Sequence, residues 1–415
     1  MRKFMKKSIL ALGIFVLAYG WVISNTVLAI NEPARLYDQV WKLVDTRYVD
    51  KTDNNQNWEQ KWRHKYDNFI QTDEDAYLAI NTMLASLNDP YTRFLEPKEF
   101  REEESSMAGS LKGIGIQIGM KDGKLTVIAP IEDTPAEKAG LLAGDQILEI
   151  NGKSTKSITV DKAAEQIRGP EGTTVNLLIK RGEQSEPKLY TVTRATIRLK
   201  SVSQKVPENV KLPNDICYIR LSSFMSKSAA DEFRAIMEAN YQKKGFIIDL
   251  RSNPGGRLVH AIAIADMFLD RGEDIVSTVD RNNYKSTDHA TKGVLTRKPV
   301  VILINKGSAS ASEILSGAMK DNGKAVLVGE TTFGKGLVQE VIPLGKDISA
   351  HITIQRYLTP NGTDIHKRGI APDVEVKLSE DDIKNKNDVQ LKKAIDIIGQ
   401  MERGATVASF SRYRY

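Results

Sequence analysis

Apolar positions change their spacing twice along this 415-residue chain. Between residues 33 and about 105 they recur at helical intervals: Leu36, Val40, Leu43 and Val44, then Trp58, Trp62 and Tyr66, then Ala76, Ile80, Met83, Leu84 and Leu87. Such stripes predict amphipathic helices, and the aromatic one reads as a core face rather than a cofactor box. Asn88-Asp89-Pro90 stops the third helix, because the residue before a proline disfavours helical backbone. From about residue 106 short apolar runs alternate with glycines and turn residues, which predicts strands. Beyond residue 197 strand-length runs (YIRLSSF, FIIDLR, VVILIN) alternate with helical patterns over 229–241, 258–269 and 311–320. That order predicts a buried sheet flanked by helices. One more amphipathic helix is expected over 388–401, with Val389, Leu391, Ala394, Ile395 and Ile398 near one face, before a basic tail from Ser409 to Tyr415. The expected fold class is therefore multidomain α/β. Its parts are a helical region (30–105), a β-rich module with helices (106–196), an α/β core (197–378) and a C-terminal helix and tail (379–415).

Composition narrows the classes. With 41% hydrophobic and 27% charged residues the chain is neither fibrous nor disordered. Arg2, Lys3, Lys6 and Lys7 precede an apolar run from Ile9 to Ile23, and Val27-Leu28-Ala29 supplies small residues in a cleavage pattern, so residues 1–29 are expected to be a signal peptide directing export. The alternative is an uncleaved membrane anchor, since the run extends weakly to Ile30 and nearly spans a bilayer. Removing residues 1–29 takes away four positive charges and no negative ones, which lowers the formal +6 to +2. That leaves no concentrated basic stripe, and no nucleic-acid partner is expected. The single cysteine, Cys217, lies in an apolar run and reads as a small buried hydrophobe.

Within 106–196, the loop Gly113-Ile114-Gly115-Ile116, the strand LTVIAPI, the Pro135-Ala136 helix start, Ala139-Gly140 and the Gly144-Asp145 turn into Ile147 resemble a PDZ domain. Such a module binds an extended peptide by strand addition, with the terminal carboxylate held by amides of a glycine-rich loop. The peptide edge would run from Ile114 to Ile118, and the helix over 160–168 would supply an apolar wall through Ala164 and Ile167.

Three loops of the core carry candidate chemistry. Asn253-Pro254-Gly255-Gly256 directly follows a buried strand, and paired glycines expose backbone amides. GSASASEI places serines between a strand and a helix N-terminus, where free amides favour negative charge. The third, GETTFGKGLVQ, is one residue short of a nucleotide-phosphate loop, yet Gly336 stands where a magnesium-binding hydroxyl is needed and the following LVQEVI reads as a strand. Lys335, set between glycines with Phe333 and Leu337 nearby, instead suits a desolvated general base, and serines after Asn305 are the hydroxyls it would activate. A Ser/His/Asp arrangement stays open, since triad members lie far apart in a chain, but each of the five histidines, His64, His260, His289, His351 and His366, taken singly reads as structural or exposed.

Taken together, GSASASEI, GETTFGKGLVQ, LRSNPGG, the PDZ-like module, LNDPYTRFL at Leu87 to Leu95 and GIAPDV at Gly369 to Val374 resemble the carboxyl-terminal processing proteases, also called tail-specific proteases. The resemblance covers nearly the whole mature chain and implies a serine endopeptidase with a Ser/Lys dyad twenty-five residues apart. That spacing falls on Ser310 and Lys335 and excludes Ser308 and Ser312. It further implies Gln339 as the residue orienting the amine and the amides of Gly256 and Ala311 as the oxyanion hole. Glu313 reads as a helix-start residue favoured by the dipole. The implied partners are protein substrates with unstructured apolar carboxyl termini, and neither metal nor other cofactor is required. NQNW and ASLNDPYTRFL most resemble the cyanobacterial and plastid branch, which implies trimming of a photosystem II precursor in the thylakoid lumen; a periplasmic or cell-envelope enzyme fits the catalytic motifs equally. The terminal helices are candidates for self-association, and a retained leader would tether the chain to a membrane. A catalytically silent PDZ scaffold is the competing expectation.

Overall fold

A computed structural model describes residues 32–410, apart from 108–109, 122, 132–133, 143, 183–185, 199–200, 208, 380 and 383–384. The expected signal segment 1–29 and residues 411–415 of the tail lie outside the described residues. The chain forms two compact units, the first comprising residues up to Phe100 together with Thr278–Ser286 and Leu337–Tyr357.

In the first unit, helices Glu32–Arg47, Trp58–Trp62 and Asp73–Ala85 bury the stripes foreseen from their spacing. A capping box starts the last of these: Asp75 N donates to Thr72 Oγ1 and Thr72 N to Asp75 Oδ2. The aromatic helix is only five residues long, and Tyr66, beyond its end, packs edge-on against Tyr37. The helical region does not close on itself. Its core of Val40, Trp58, Ile80 and Met83 is completed by Ala350 and Ile352 from a strand far along the chain. That strand, Ile348–Leu358, pairs antiparallel with Arg93–Leu95 on one side and Leu337–Gly345 on the other.

The second unit holds the β-rich module and the α/β core. In the module, strands Ile116–Lys121, Lys124–Pro130, Gln146–Ile150, Thr174–Lys180 and Lys188–Thr193 form an antiparallel sheet in that order, with Ile116–Lys121 at one edge. Val127, Ile147, Ile150 and Leu177 form its core with Ala163 and Ile167 of helix Val160–Ile167. The chain enters along Ser110–Gly113 and leaves along Ala195–Arg198, which pair antiparallel.

The core sheet runs Val202–Ser203, Ile216–Leu221, Gly245–Asp249, Val300–Ile304, Val326–Gly329, Val374–Glu375, and all its neighbours but the first pair are parallel. Every residue of Gly245–Asp249 and Val300–Ile304 is buried, which is why these strands read as unbroken apolar runs. Helices Ala229–Ala239, Leu258–Ala265 and Ala311–Asp321 pack successively against one another. Helix Val389–Glu402 lays Leu391, Ala394, Ile397 and Ile398 against Ile247, Val301 and Val326. Arg251 fixes that helix in place, its guanidinium bonded to Asp249 within the core and to Asp388, the residue capping the helix. Burial alone would push the Asp249 carboxyl up, but Arg251 and Arg220 outweigh it and hold it below the usual range.

Candidate active site

Because Gly245–Asp249, Val300–Ile304 and Val326–Gly329 are adjacent and parallel, the three loops singled out in the sequence all leave the sheet at its carboxyl end. That is where open α/β sheets place their ligands.

Ser310 caps helix Ala311–Asp321 with φ 55° and ψ −115°, a backbone conformation that costs a non-glycine residue about 1–3 kcal/mol. A sharp strand-to-helix turn of this kind presents the side chain of its central residue at the top of the sheet. The strain is held by the serines on either side. Ser308 Oγ donates to Leu250 O and Ser312 Oγ to Asn253 O, both bonds buried. These two hydroxyls stitch the serine turn to the glycine loop, which accounts for the serine-rich motif around a single strained Ser310.

Asn253 organises the glycine loop from within. It is fully buried, its amide group donates to Leu221 O, its Oδ1 accepts from Gly255 N, and its carbonyl accepts from Ala309 N. Gly255, at φ 99°, lies so close to the serine turn that a Cβ there would stand 2.8 Å from Ser310 Cβ. A Cβ on Gly256 would meet Phe224 backbone carbon at 2.5 Å. The amides of Gly256 and Ala311 have no hydrogen-bond partner among the described residues. Two unengaged donors therefore flank Ser310 on neighbouring loops.

The lysine loop is tied to the serine turn by Glu313, a wholly buried carboxylate. Oε2 accepts from Ser310 N at 2.8 Å and from Lys335 N at 2.9 Å; Oε1 accepts from Thr332 Oγ1 at 2.6 Å and Gly334 N at 2.7 Å. One oxygen atom thus holds the backbone of both candidate dyad residues. Phe333 N adds a bond to Ser308 O, and on the far side Thr332 Oγ1 accepts from Ile370 N while Lys367 N donates to Gly334 O. Only glycine fits at 336, where a Cβ would lie 2.7 Å from His366 N. Lys335 is half-buried. The role of Glu313 exceeds the helix-start role expected for it, and Thr332 was not foreseen; its only sequence signal is a polar residue three before the lysine.

Gln339 lies on strand Leu337–Gly345 in the first unit, its amide 3.4 Å from Thr353 Oγ1, which in turn donates to Asp89. Among the histidines, His64 and His289 are exposed and sit beside Asp67 and Asp274.

In the β-rich module, Gly113, Ile114, Gly115, Ile116, Ala164 and Ile167 together line one cleft of about 270 Å³. Lys112 and Arg168 border it and bring two cations that the sequence reading did not include. Gly115, at φ 82°, is required, since a Cβ would overlap the Thr134 side chain at 2.3 Å. The cleft helix ends on Arg194, a buried side chain that donates to the carbonyls of Gln166, Ile167 and Thr174.

Residues 215–376 match peptidase family S41, and residues 126–181 match the PDZ domain family. A carboxyl-terminal-processing protease of Synechocystis is 39% identical over 91% of this chain and 90% of its own length. The chloroplastic carboxyl-terminal-processing peptidase 2 of Arabidopsis thaliana is 38% identical over 83% of this chain and 69% of its own. Among solved structures, a photosystem II D1 C-terminal processing protease superposes with a TM-score of 0.58 at 32% identity, covering 89% of this chain and 98% of that one.

Proposed function

Because the chain belongs to the carboxyl-terminal-processing proteases of peptidase family S41, we propose that it cleaves protein substrates near their carboxyl termini with a Ser310/Lys335 dyad. Lys335, in its neutral form, takes the proton of Ser310 Oγ as that oxygen attacks the scissile carbonyl carbon. The resulting oxyanion rests on the amides of Gly256 and Ala311, which have no other hydrogen-bond partner among the described residues. The lysine then passes the proton to the departing amine, leaving an acyl-serine that water hydrolyses. The PDZ cleft holds the substrate tail, edge strand Ile116–Lys121 providing backbone pairing and Gly113–Ile116 the amides for the terminal carboxylate.

The observation that carries this reading is the Glu313 carboxylate, which accepts from the backbone of both dyad residues. A buried group serving only the serine helix would have no reason to reach the loop of Lys335 as well. The basic and apolar pattern of residues 1–29 supports an exported or lumenal setting, and the photosystem II D1 protease among the similar structures makes a photosystem II precursor tail the first substrate class to try.

The test is mass spectrometry of a protein with a disordered, apolar carboxyl terminus after incubation with the mature chain, Ser310→Ala or Lys335→Ala. Cleavage near the tail by the parent alone, lost when the terminal residues are made charged, is the expected result. Cleavage surviving in both variants would move the chemistry elsewhere. A folded parent that binds the tail without cutting it would leave a PDZ scaffold.

A further inference from the structure

The lysine loop carries a side chain that neither its fold nor the dyad explains. Thr332, Gly334, Gly336 and Leu337 are buried and Lys335 is half-buried, yet Phe333 between them leaves 58% of its surface in water. The loop does not need that ring. Its conformation is set by Glu313, which receives Thr332, Gly334 and Lys335, and by the backbone bonds of Thr332 with Ile370 and of Lys367 with Gly334. A benzyl group held mostly in solvent by buried, hydrogen-bonded neighbours adds little to the core and leaves apolar surface uncovered.

Its position is what gives it a use. Phe333 N donates to Ser308 O at 3.0 Å, which fixes the residue beside the turn that bears Ser310, two positions from Lys335. On the glycine-loop side, Val259 follows Gly256 by three residues, at the start of helix Leu258–Ala265, and is 63% exposed. Two large apolar side chains therefore face solvent on the loop and helix that bring the lysine and the glycine amides to the site. Isolated exposed hydrophobes are ordinary on protein surfaces. A pair on the two segments flanking one nucleophile is covered most simply by the substrate.

We propose that Phe333 is a specificity-determining residue that covers an apolar side chain of the substrate next to the scissile bond. The inference rests on the proteolytic reading of Ser310 and Lys335 and adds to it a class of cleavage site: an apolar residue flanking the cut, distinct from the apolar tail in the PDZ cleft. One methylene in an apolar site changes kcat/KM by about 10- to 200-fold, so covering the ring with an aliphatic side chain is expected to discriminate by at least the lower figure.

The test uses peptides that share one carboxyl-terminal tail and differ at a single residue beside the cut, Leu or Asp, with kcat and KM measured for the mature chain, Phe333→Ala and Phe333→Leu. The parent is expected to prefer Leu over Asp by about 10-fold or more in kcat/KM. In Phe333→Ala that ratio collapses toward one, chiefly through KM for the Leu peptide, while Phe333→Leu keeps most of it. Equal losses on both peptides, or an unchanged ratio in Phe333→Ala, would overturn the role of Phe333 while leaving proteolysis intact. A folded parent that cleaves neither peptide would overturn the proteolytic reading and this inference with it. Thermal unfolding of each variant separates loss of selectivity from loss of fold, and Phe333, being exposed, is expected to leave the midpoint unchanged.

Discussion

Ser310 and Lys335 share a hydrogen-bond acceptor: the backbone nitrogen of each donates to Oε2 of Glu313, at 2.8 and 2.9 Å. Their separation is set by this shared carboxylate together with the Phe333 N to Ser308 O bond that joins the two loops directly. The other oxygen takes Thr332 and Gly334, so each carboxylate oxygen faces two donors. Glutamine would turn an N–H group toward one of those pairs and leave buried donors unmatched, at about 1–3 kcal/mol each. Glu313→Gln is expected to lower kcat about 100-fold, with KM changed much less, because the loss falls on alignment rather than on tail binding. Steady-state kinetics on a tail peptide decides it: kcat within about 3-fold of the parent would show that the shared acceptor is dispensable.

The parts of this arrangement differ in how far sequence reveals them. The strands are legible because burial on both faces makes them continuous apolar runs, and Gly255-Gly256 and Lys335 stand out because glycine pairs and a lysine among glycines are locally unusual. The Glu313 to Thr332 bond spans nineteen residues and has no periodicity to announce it. The same holds for the first unit. Leu36 and Val40 signal a helix, but nothing local shows that Ala350 and Ile352 complete their core, since pairing of Arg93–Leu95 with Ile348–Leu358 depends on chain topology. Strand Lys285–His289 was missed for a related reason: its residues are mostly exposed and polar, so it lacks the alternation that marks a half-buried strand.

The glycine loop should tolerate no side chain. A Cβ at Gly255 would lie 2.7 Å from Ala309 O and 2.8 Å from Ser310 Cβ, and one at Gly256 would drive into the Phe224 backbone. Gly255→Ala displaces the proposed nucleophile, Ser310, and Gly256→Ala a candidate oxyanion donor, so each is expected to reduce kcat by about 100- to 1,000-fold. Tail-peptide affinity, measured by fluorescence polarisation, should stay at the parent value in both. Near-parent turnover in Gly256→Ala would remove its amide from the mechanism.

Arg194 should control the PDZ cleft without lining it. Its guanidinium donates to three carbonyls, two of them at the end of the helix that carries Ala164 and Ile167. Arg194→Met keeps much of the aliphatic volume but strips those acceptors of their partner, and the helix end should loosen by about 1–3 kcal/mol. In a Ser310→Ala background, which removes the proposed nucleophile, the dissociation constant of a tail peptide should rise about 10-fold. No change in affinity would mean that the cleft keeps its shape without this anchor.

Asp53 sets a pH dependence for the first unit. The residue is 6% exposed, Oδ1 has no hydrogen-bond partner among the described residues, and burial pushes its carboxyl up to about 6; Arg281 opposes the shift while Asp45 and Asp50 add to it. Because the folded value lies above the unfolded one, the folded unit holds its proton more tightly. Ionisation therefore destabilises it as pH rises from about 4 to about 6, and the full penalty persists above that window. Asparagine keeps the shape, suits the left-handed backbone at φ 47° and removes the charge. Asp53→Asn is thus expected to be more stable than the parent at pH 7.5 by about 3 kcal/mol, with the difference vanishing near pH 4. Tryptophan fluorescence reports on this unit selectively, because Trp41, Trp58 and Trp62 all lie in it and Trp21 is absent from a chain cut after residue 29. Denaturant midpoints of parent and variant that track each other from pH 4 to 8 would show that Asp53 does not titrate in this window.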